Sequence, residues 1–194
     1  MDPATALRMF ENGNSGIFDP VPEHGDWVRM AMVNTPLGLM LAGADSEVLR
    51  FLDFADRNTI VAQIAALRET SGMRLAPGDN PVLGVLRREL GQYFEGRLTM
   101  FSVPVEAPGT PFQRTVWAFL RTIPYGATVS YGEVAAAVGS PGASRAVGTA
   151  NGRNRIAIVV PCHRVVNADG STGGYGGGVE RKTRLLALER QTGT

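Results

Sequence analysis

The hydrophobic pattern changes character along the chain. From Trp27 to Val33 the residues are apolar with one polar break at Arg29, and apolar residues resume at Leu39–Ala42 after Asn34-Thr35-Pro36-Leu37-Gly38. Two such runs around turn residues predict an antiparallel hairpin, and Val48–Phe54 predicts a third strand. Thr59–Thr70 and Pro81–Phe94 read as helices. The second carries Val82, Leu83, Val85, Leu86, Leu90 and Tyr93 at helical intervals and stops at Gly96. Thr99–Val105 predicts a last short strand. Residues 1–26 mix Pro, Gly, Asn and acids and read as a loosely held arm, with one short helix near Ala4–Phe10.

Beyond the linker at residues 106–109 the pattern turns helical. Thr110-Pro111-Phe112-Gln113 places a cap, a proline at the first helical position and a glutamine three residues after the cap. Phe112, Val116, Phe119 and Leu120 give that helix an apolar face, and it stops before Pro124-Tyr125-Gly126. Ser130-Tyr131-Gly132-Glu133 is a second capping box, opening a helix over Tyr131–Val138 that ends in Gly139. A turn at Ser140–Ala143 leads to a third helical piece, Ser144–Asn151. Short helix, tight turn, short helix is the shape of a helix-turn-helix, whose second helix enters a DNA groove. Ile156–Val160 is an apolar run of the length of a buried strand and ends in Pro161-Cys162-His163-Arg164. Thr172–Gly178 holds five glycines around Tyr175, which points to close backbone approach or mobility. The last helix is Val179–Gln191, with Leu185, Leu186 and Leu188 facing inward. The fold class expected is α+β, with a sheet-bearing domain over 27–105 and a mostly helical one over 110–194.

Composition narrows the function. The chain has 194 residues, 44% hydrophobic and 19% charged, enough for a buried core. No apolar stretch approaches the roughly 18 residues of a membrane span, and no signal peptide follows Met1. The single cysteine excludes an internal disulfide, and one cysteine with two histidines (His24, His163) argues against a zinc site. No cofactor is expected, His24 is taken as a surface residue of the arm, and a reduced, cytoplasmic setting fits best. The net charge of +1 conceals a split. Residues 1–109 carry nine Arg against fourteen acids, and residues 110–194 carry nine Arg and one Lys against four. The halves therefore differ in sign, and the basic surface belongs to the helical half.

Cys162 invites two readings. A lone cysteine at the end of an apolar run is usually a small core hydrophobe. It becomes a nucleophile when cationic or hydrogen-bonding groups favour its thiolate, and His163 and Arg164 are adjacent. Glu189 in the last helix could orient the histidine, giving nucleophile, base and orienting acid. On an extended strand the side chains of Cys162 and His163 would point opposite ways, so a bend or a bridging water is needed.

Pro161-Cys162-His163-Arg164-Val165 resembles the active-site signature of the O6-alkylguanine-DNA alkyltransferases, the methylated-DNA–protein-cysteine methyltransferases. The likeness runs from about Gly109 to Arg190, through Pro124-Tyr125-Gly126, Ser130-Tyr131, Ser144–Gly148, Asn154, Gly174-Tyr175 and Leu185–Glu189. It implies a ribonuclease H-like domain with an antiparallel sheet over 27–105. A winged helix-turn-helix domain that carries the alkyl acceptor follows over 110–194. It also implies a suicide reaction in which an extruded O6-alkylguanine, or O4-alkylthymine, passes its alkyl group irreversibly to Cys162. By resemblance His163 takes the thiol proton through a water, Glu189 holds His163, and Asn154 fixes the local backbone. Tyr131 donates to the flipped base, and Arg145 fills its place in the stack. Ser130, Ala146, Gly148 and Arg153 are implied DNA contacts. Val165, Tyr175, Gly176 and Gly177 are implied pocket residues, with the Cys162 and Val165 carbonyls accepting from the guanine amino group. The partner implied is double-stranded DNA entered through its minor groove by a monomer.

Two departures stand out. Some relatives carry a hydroxyl residue after the pocket tyrosine, where this chain has Gly176, so only a backbone N–H could reach O6. The cysteines with which some relatives bind zinc or repair phosphotriesters are missing. Taken singly, Asn154 reads as a turn residue, Tyr131 as a buried ring, Glu189 as a solvated acid and Arg145 as a surface charge; together they support the alkyltransferase. The competing readings are a damage sensor without chemistry and a cysteine hydrolase built on Cys162, His163 and Glu189.

Overall fold

The structure, a computed structural model, describes residues 27–191. The expected arm over 1–26, its short helix and His24 lie outside the described residues. Two compact units emerge, one from the residues up to Gln92 with Ser102–Pro108, the other from Tyr93–Phe101 with the chain from Gly109 onward.

In the first unit, β1 (Trp27–Thr35), β2 (Gly38–Ala44) and β3 (Leu49–Phe54) form the antiparallel ribbon that the alternation predicts. The Thr35 hydroxyl donates to the Gly38 carbonyl at 2.6 Å and closes the hairpin, and Gly38 supplies the positive φ of 116°. α1 (Ile60–Ser71) lays Ile60, Ile64 and Leu67 on Val28, Met30, Leu41, Phe51 and Leu75 of the sheet. A fourth strand, β4 (Arg74–Pro77), pairs parallel to β1 at the sheet edge, so the sheet is antiparallel in three strands and mixed in the fourth. Four residues ending in proline give no periodicity to read, and a parallel partner is by nature distant in sequence. α2 (Pro81–Phe94) starts where Asn80 Oδ1 accepts from the Leu83 N–H at 2.9 Å.

The strand expected over Thr99–Val105 is not formed. Only Val105 bridges, to Leu49. The Glu89 carboxylate takes the N–H groups of Ser102 and Val103 at 3.1–3.2 Å, and Pro104 has none to give, so the ladder donors of this segment are already spent or missing.

The second unit packs α3 (Pro111–Leu120), α4 (Tyr131–Ala137), α5 (Ser144–Gly152) and α6 (Val179–Gln191) around a two-stranded parallel ladder of β5 (Val129–Ser130) and β6 (Val165–Val166). Both expected capping boxes are present, Thr110 with Gln113 and Ser130 with Glu133. Trp117 of α3 donates its Nε1–H to the Ala150 carbonyl of α5 at 3.0 Å, tying the two helices. Among the described residues no helix is long and apolar enough to cross a membrane.

The buried strand expected over Ile156–Val160 is a correction. The five residues are buried, at 5% exposure or less, but they coil through a turn in which Ile158 takes a φ of 71°. The Val160 N–H bonds back to Ile156 O at 2.9 Å and Val159 N–H to Ala157 O at 2.9 Å. An apolar run reports burial, and it does not distinguish a strand from a compact turn.

Candidate functional site

Cys162 opens a single 3-10 turn, Cys162–Arg164, that leads directly into β6. This turn is the bend that a strand would have lacked. It swings Cys162, His163 and Arg164 into the unit, where all three are buried.

Asn154 organises the approach to the turn. It is 3% exposed, and its Oδ1 accepts from the Ile156 N–H at 3.0 Å. Its Nδ2 donates to the Val160 carbonyl at 2.8 Å and to Cys162 Sγ at 3.2 Å. One carboxamide therefore pins both ends of the strained turn and holds a donor on the sulfur, where negative charge develops as the thiol ionises.

Glu189 of α6 is the hub on the other side. Its Oε1 accepts from Tyr93 Oη at 2.7 Å and Arg164 Nη2 at 3.0 Å, and lies 2.8 Å from His163 Nε2. Its Oε2 accepts from Arg164 Nε at 2.9 Å and the Gly126 N–H at 3.1 Å. Burial pushes this carboxyl up, but the hydrogen bonds and charges of His163 and Arg164 outweigh it and bring it down to about 2. Arg164 is held in turn by the Ile123 carbonyl at 2.6 Å and by the Tyr125 ring, 5.7 Å from its guanidinium carbon. Gly126 sits at a φ of 77°, and a Cβ there would come within 3.0 Å of the Glu189 carbonyl oxygen, so glycine is needed at the close approach.

His163 is fully buried. Burial lowers its basicity, and Arg164 and Lys182 add to this, against the pull of Glu189. At neutral pH it is a neutral imidazole donating Nε2–H to an ionised Glu189. That tautomer leaves Nδ1 as an acceptor, and Nδ1 is buried with no hydrogen-bond partner among the described residues.

A cavity of ≈ 250 Å³ opens on Cys162. Tyr131 and Gly148 line it from the helix pair, Asn151 and Gly152 from the end of α5, and Gly174, Tyr175 and Gly176 from the glycine loop. Burial, and then the charge of Cys162, raise the Tyr131 phenol, so it stays a hydroxyl donor. Val165 and Gly177 are buried and are not part of this wall. Arg145, Ala146 and Arg153 are exposed on or next to α5, and Ser130 is half-buried as the cap of α4. Among the described residues no three His, Cys, Asp or Glu side chains lie close enough to hold a metal.

Two residues of the site escape a reading of the sequence. Tyr93 belongs by spacing to an apolar helix face and gives no hint that its hydroxyl meets Glu189. Lys182 is fully buried, donating Nζ to the Val165 carbonyl at 2.5 Å and the Gly174 carbonyl at 3.3 Å, so it ties β6 to the glycine loop. Burial lowers its basicity, and the charge of Cys162 opposes this. Its only signal is being the one lysine in the chain.

Comparison with known proteins follows the same division. A family model described as the ribonuclease-like domain of 6-O-methylguanine DNA methyltransferase matches residues 28–107, and one for its DNA binding domain matches residues 111–191. A methylated-DNA–protein-cysteine methyltransferase of Mycolicibacterium paratuberculosis is 46% identical over 164 residues, covering 84% of this chain and 93% of the relative. The namesake from Methanosarcina acetivorans is 41% identical over 160 residues, covering 82% and 96%. The solved structure of Mycobacterium tuberculosis OGT in complex with DNA superposes with a TM-score of 0.73 at 41% identity, covering 86% of this chain and 94% of that one. The O6-methylguanine-DNA methyltransferase of Pyrococcus kodakaraensis gives 0.60 at 29% identity, covering 84% and 98%. The chain belongs to the methylated-DNA–protein-cysteine methyltransferase family.

Proposed function

We propose that this protein repairs O6-alkylguanine in double-stranded DNA by moving the alkyl group, once and irreversibly, to Cys162. The observation that carries the reading is Cys162 itself, at the floor of a cavity, with the Asn154 amide on its sulfur and a neutral His163 backed by Glu189 beside it.

The step balances as follows. The thiol proton passes through a water to His163 Nδ1. The sulfur then forms its bond to the alkyl carbon as the carbon–O6 bond breaks, and the electron pair stays on guanine. Tyr131, a hydroxyl donor in the cavity wall, supplies hydrogen bonding and a proton to the departing base. The product is a thioether and an unmodified guanine. No group in the site could cleave a thioether, so one protein serves one lesion.

The base reaches Cys162 only after leaving the stack. Arg145, exposed on α5, would fill its place, and Ser130, Ala146, Gly148 and Arg153 would line the DNA-facing surface. Entry is through the minor groove, which suits damage surveillance with little sequence preference. Tyr175 and Gly176 would seat the base from the cavity wall, with the Gly176 N–H replacing a side-chain contact to O6, and the buried Val165 and Gly177 would back that wall from behind. O4-alkylthymine is a second substrate. The protein acts as a monomer in the cytoplasm, and residues 27–105, 106–109 and 110–194 divide it into scaffold, linker and acceptor domain.

The direct experiment is incubation with O6-methylguanine DNA followed by intact mass. The reading requires one added methyl per chain, located on Cys162. A sensor that binds without reacting gives unchanged mass, and a cysteine hydrolase gives repeated turnover of an ester.

A further inference from the structure

Glu189 Oε1 accepts from three directions, and only two of those donors belong to the residues around Cys162. The third, Tyr93 Oη at 2.7 Å, is the shortest of the three. Tyr93 is fully buried, ends α2, and lies outside the 111–191 stretch that matches the DNA binding domain model. Its ring is fixed by edge contacts to Phe94 and Tyr125 and a tilted contact to Phe101, at centroid distances of 5.3–5.8 Å, so the hydroxyl has little freedom to turn away.

We propose that Tyr93 is a positioning residue of the proton relay: its hydroxyl shares Glu189 Oε1 with His163 and thereby limits how strongly His163 takes a proton. The inference rests on the function proposed above for its kinetic consequence, though not for its physical one. A carboxylate oxygen that already accepts from a phenol and a guanidinium offers less to a third donor. His163 is then held in place without being made so basic that it is protonated before it can accept from Cys162. Burial, with the charge of Glu189 behind it, pushes the Tyr93 phenol far above its ordinary range, so it donates at every pH at which the protein is folded. The other groups facing His163 are accounted for. Glu189 and Lys182 come from α6, Arg164 and Cys162 from the 3-10 turn, and Tyr125, beyond α3, reaches the relay through Arg164. Of the three donors to Glu189 Oε1, Tyr93 is the one whose hydroxyl can be deleted with the ring and every charge kept.

The test uses the full chain and Tyr93→Phe. The chain has two histidines, so the imidazole resonances of His163 and His24 can be followed separately by NMR across pH. In Tyr93→Phe the His163 midpoint should move upward by about half a pH unit or more, while His24 stays put. The acidic limb of the single-turnover alkylation profile should move upward with it, by the same interval of pH. Phe101→Leu, which removes one of the three ring contacts and keeps the hydroxyl, should move the midpoint clearly less than Tyr93→Phe does. An unmoved or lowered His163 midpoint in Tyr93→Phe, or an equal shift in Phe101→Leu, overturns the inference. If the parent is never alkylated, the proposed function fails while the NMR shift still decides the role of Tyr93.

Discussion

Asn154 Nδ2 donates to Cys162 Sγ at 3.2 Å while the same nitrogen holds the Val160 carbonyl at 2.8 Å. The reactive atom and the turn that presents it are thus fastened by one amide. Asn154→Ala removes both contacts and strands the buried Ile156 N–H, and it leaves the Val160 carbonyl with the Cys162 N–H at 2.8 Å as its remaining donor. Unsatisfied buried groups cost about 1–3 kcal/mol each. Single-turnover alkylation should slow at least tenfold, and melting should fall by several degrees. Full activity in Asn154→Ala would show that the sulfur needs no donor.

The same contact makes the alkylated protein less stable than the parent. A thioether carries an extra methyl into a packed wall and crowds the Asn154 amide, and overpacking costs typically about 1–3 kcal/mol. Thermal melting after complete reaction should drop by about 2–10 °C for a chain of this size. An unchanged transition would mean that the cavity accommodates the methyl without strain.

Acid should loosen the second unit through Glu189. Its carboxyl is lowered to about 2 from 4.5, so its contribution to stability is present above pH 4.5 and is lost as pH falls towards 2. His163, also lowered, acts in the same direction: the unfolded chain takes up its proton first as pH drops below 6.5. Glu189→Gln should flatten this dependence between pH 5 and 2. It should also cost about 3–5 kcal/mol near neutrality, because the buried Arg164 loses its counter-charge. Urea unfolding across pH reads both effects.

How much of this was legible in the chain depends on range. The capping boxes at Thr110–Gln113 and Ser130–Glu133 are local, spelled by residues three apart, and the sequence predicts them correctly. The hairpin of β1 and β2 is legible for the same reason. β4 is invisible because its signal is its partner, β1, whose paired residues lie 47 positions earlier. The run Ile156–Val160 announces burial but not shape, since what folds it into a turn is Asn154, outside the run. Cys162, His163 and Glu189 emerge from a motif. Tyr93 does not, because a hydroxyl on an apolar helix face acquires its role only when Glu189, 96 positions later, is brought to it.

Lys182 gives a separable prediction. Lys182→Met keeps most of the side-chain volume and removes the bonds to the Val165 and Gly174 carbonyls. The glycine loop should loosen against β6, so alkylation slows severalfold while affinity for undamaged DNA is unchanged. Equal losses in binding and in rate would place Lys182 in DNA contact instead.

The central claim is that Cys162 accepts one alkyl group from DNA and is then spent. It is tested most directly by intact mass and peptide mapping after incubation with excess O6-methylguanine duplex. The account predicts a single methyl per chain, on Cys162, with repaired guanine in equal amount and no reaction in Cys162→Ala. An unmodified chain, a methyl elsewhere, or repaired guanine in excess of protein would contradict it.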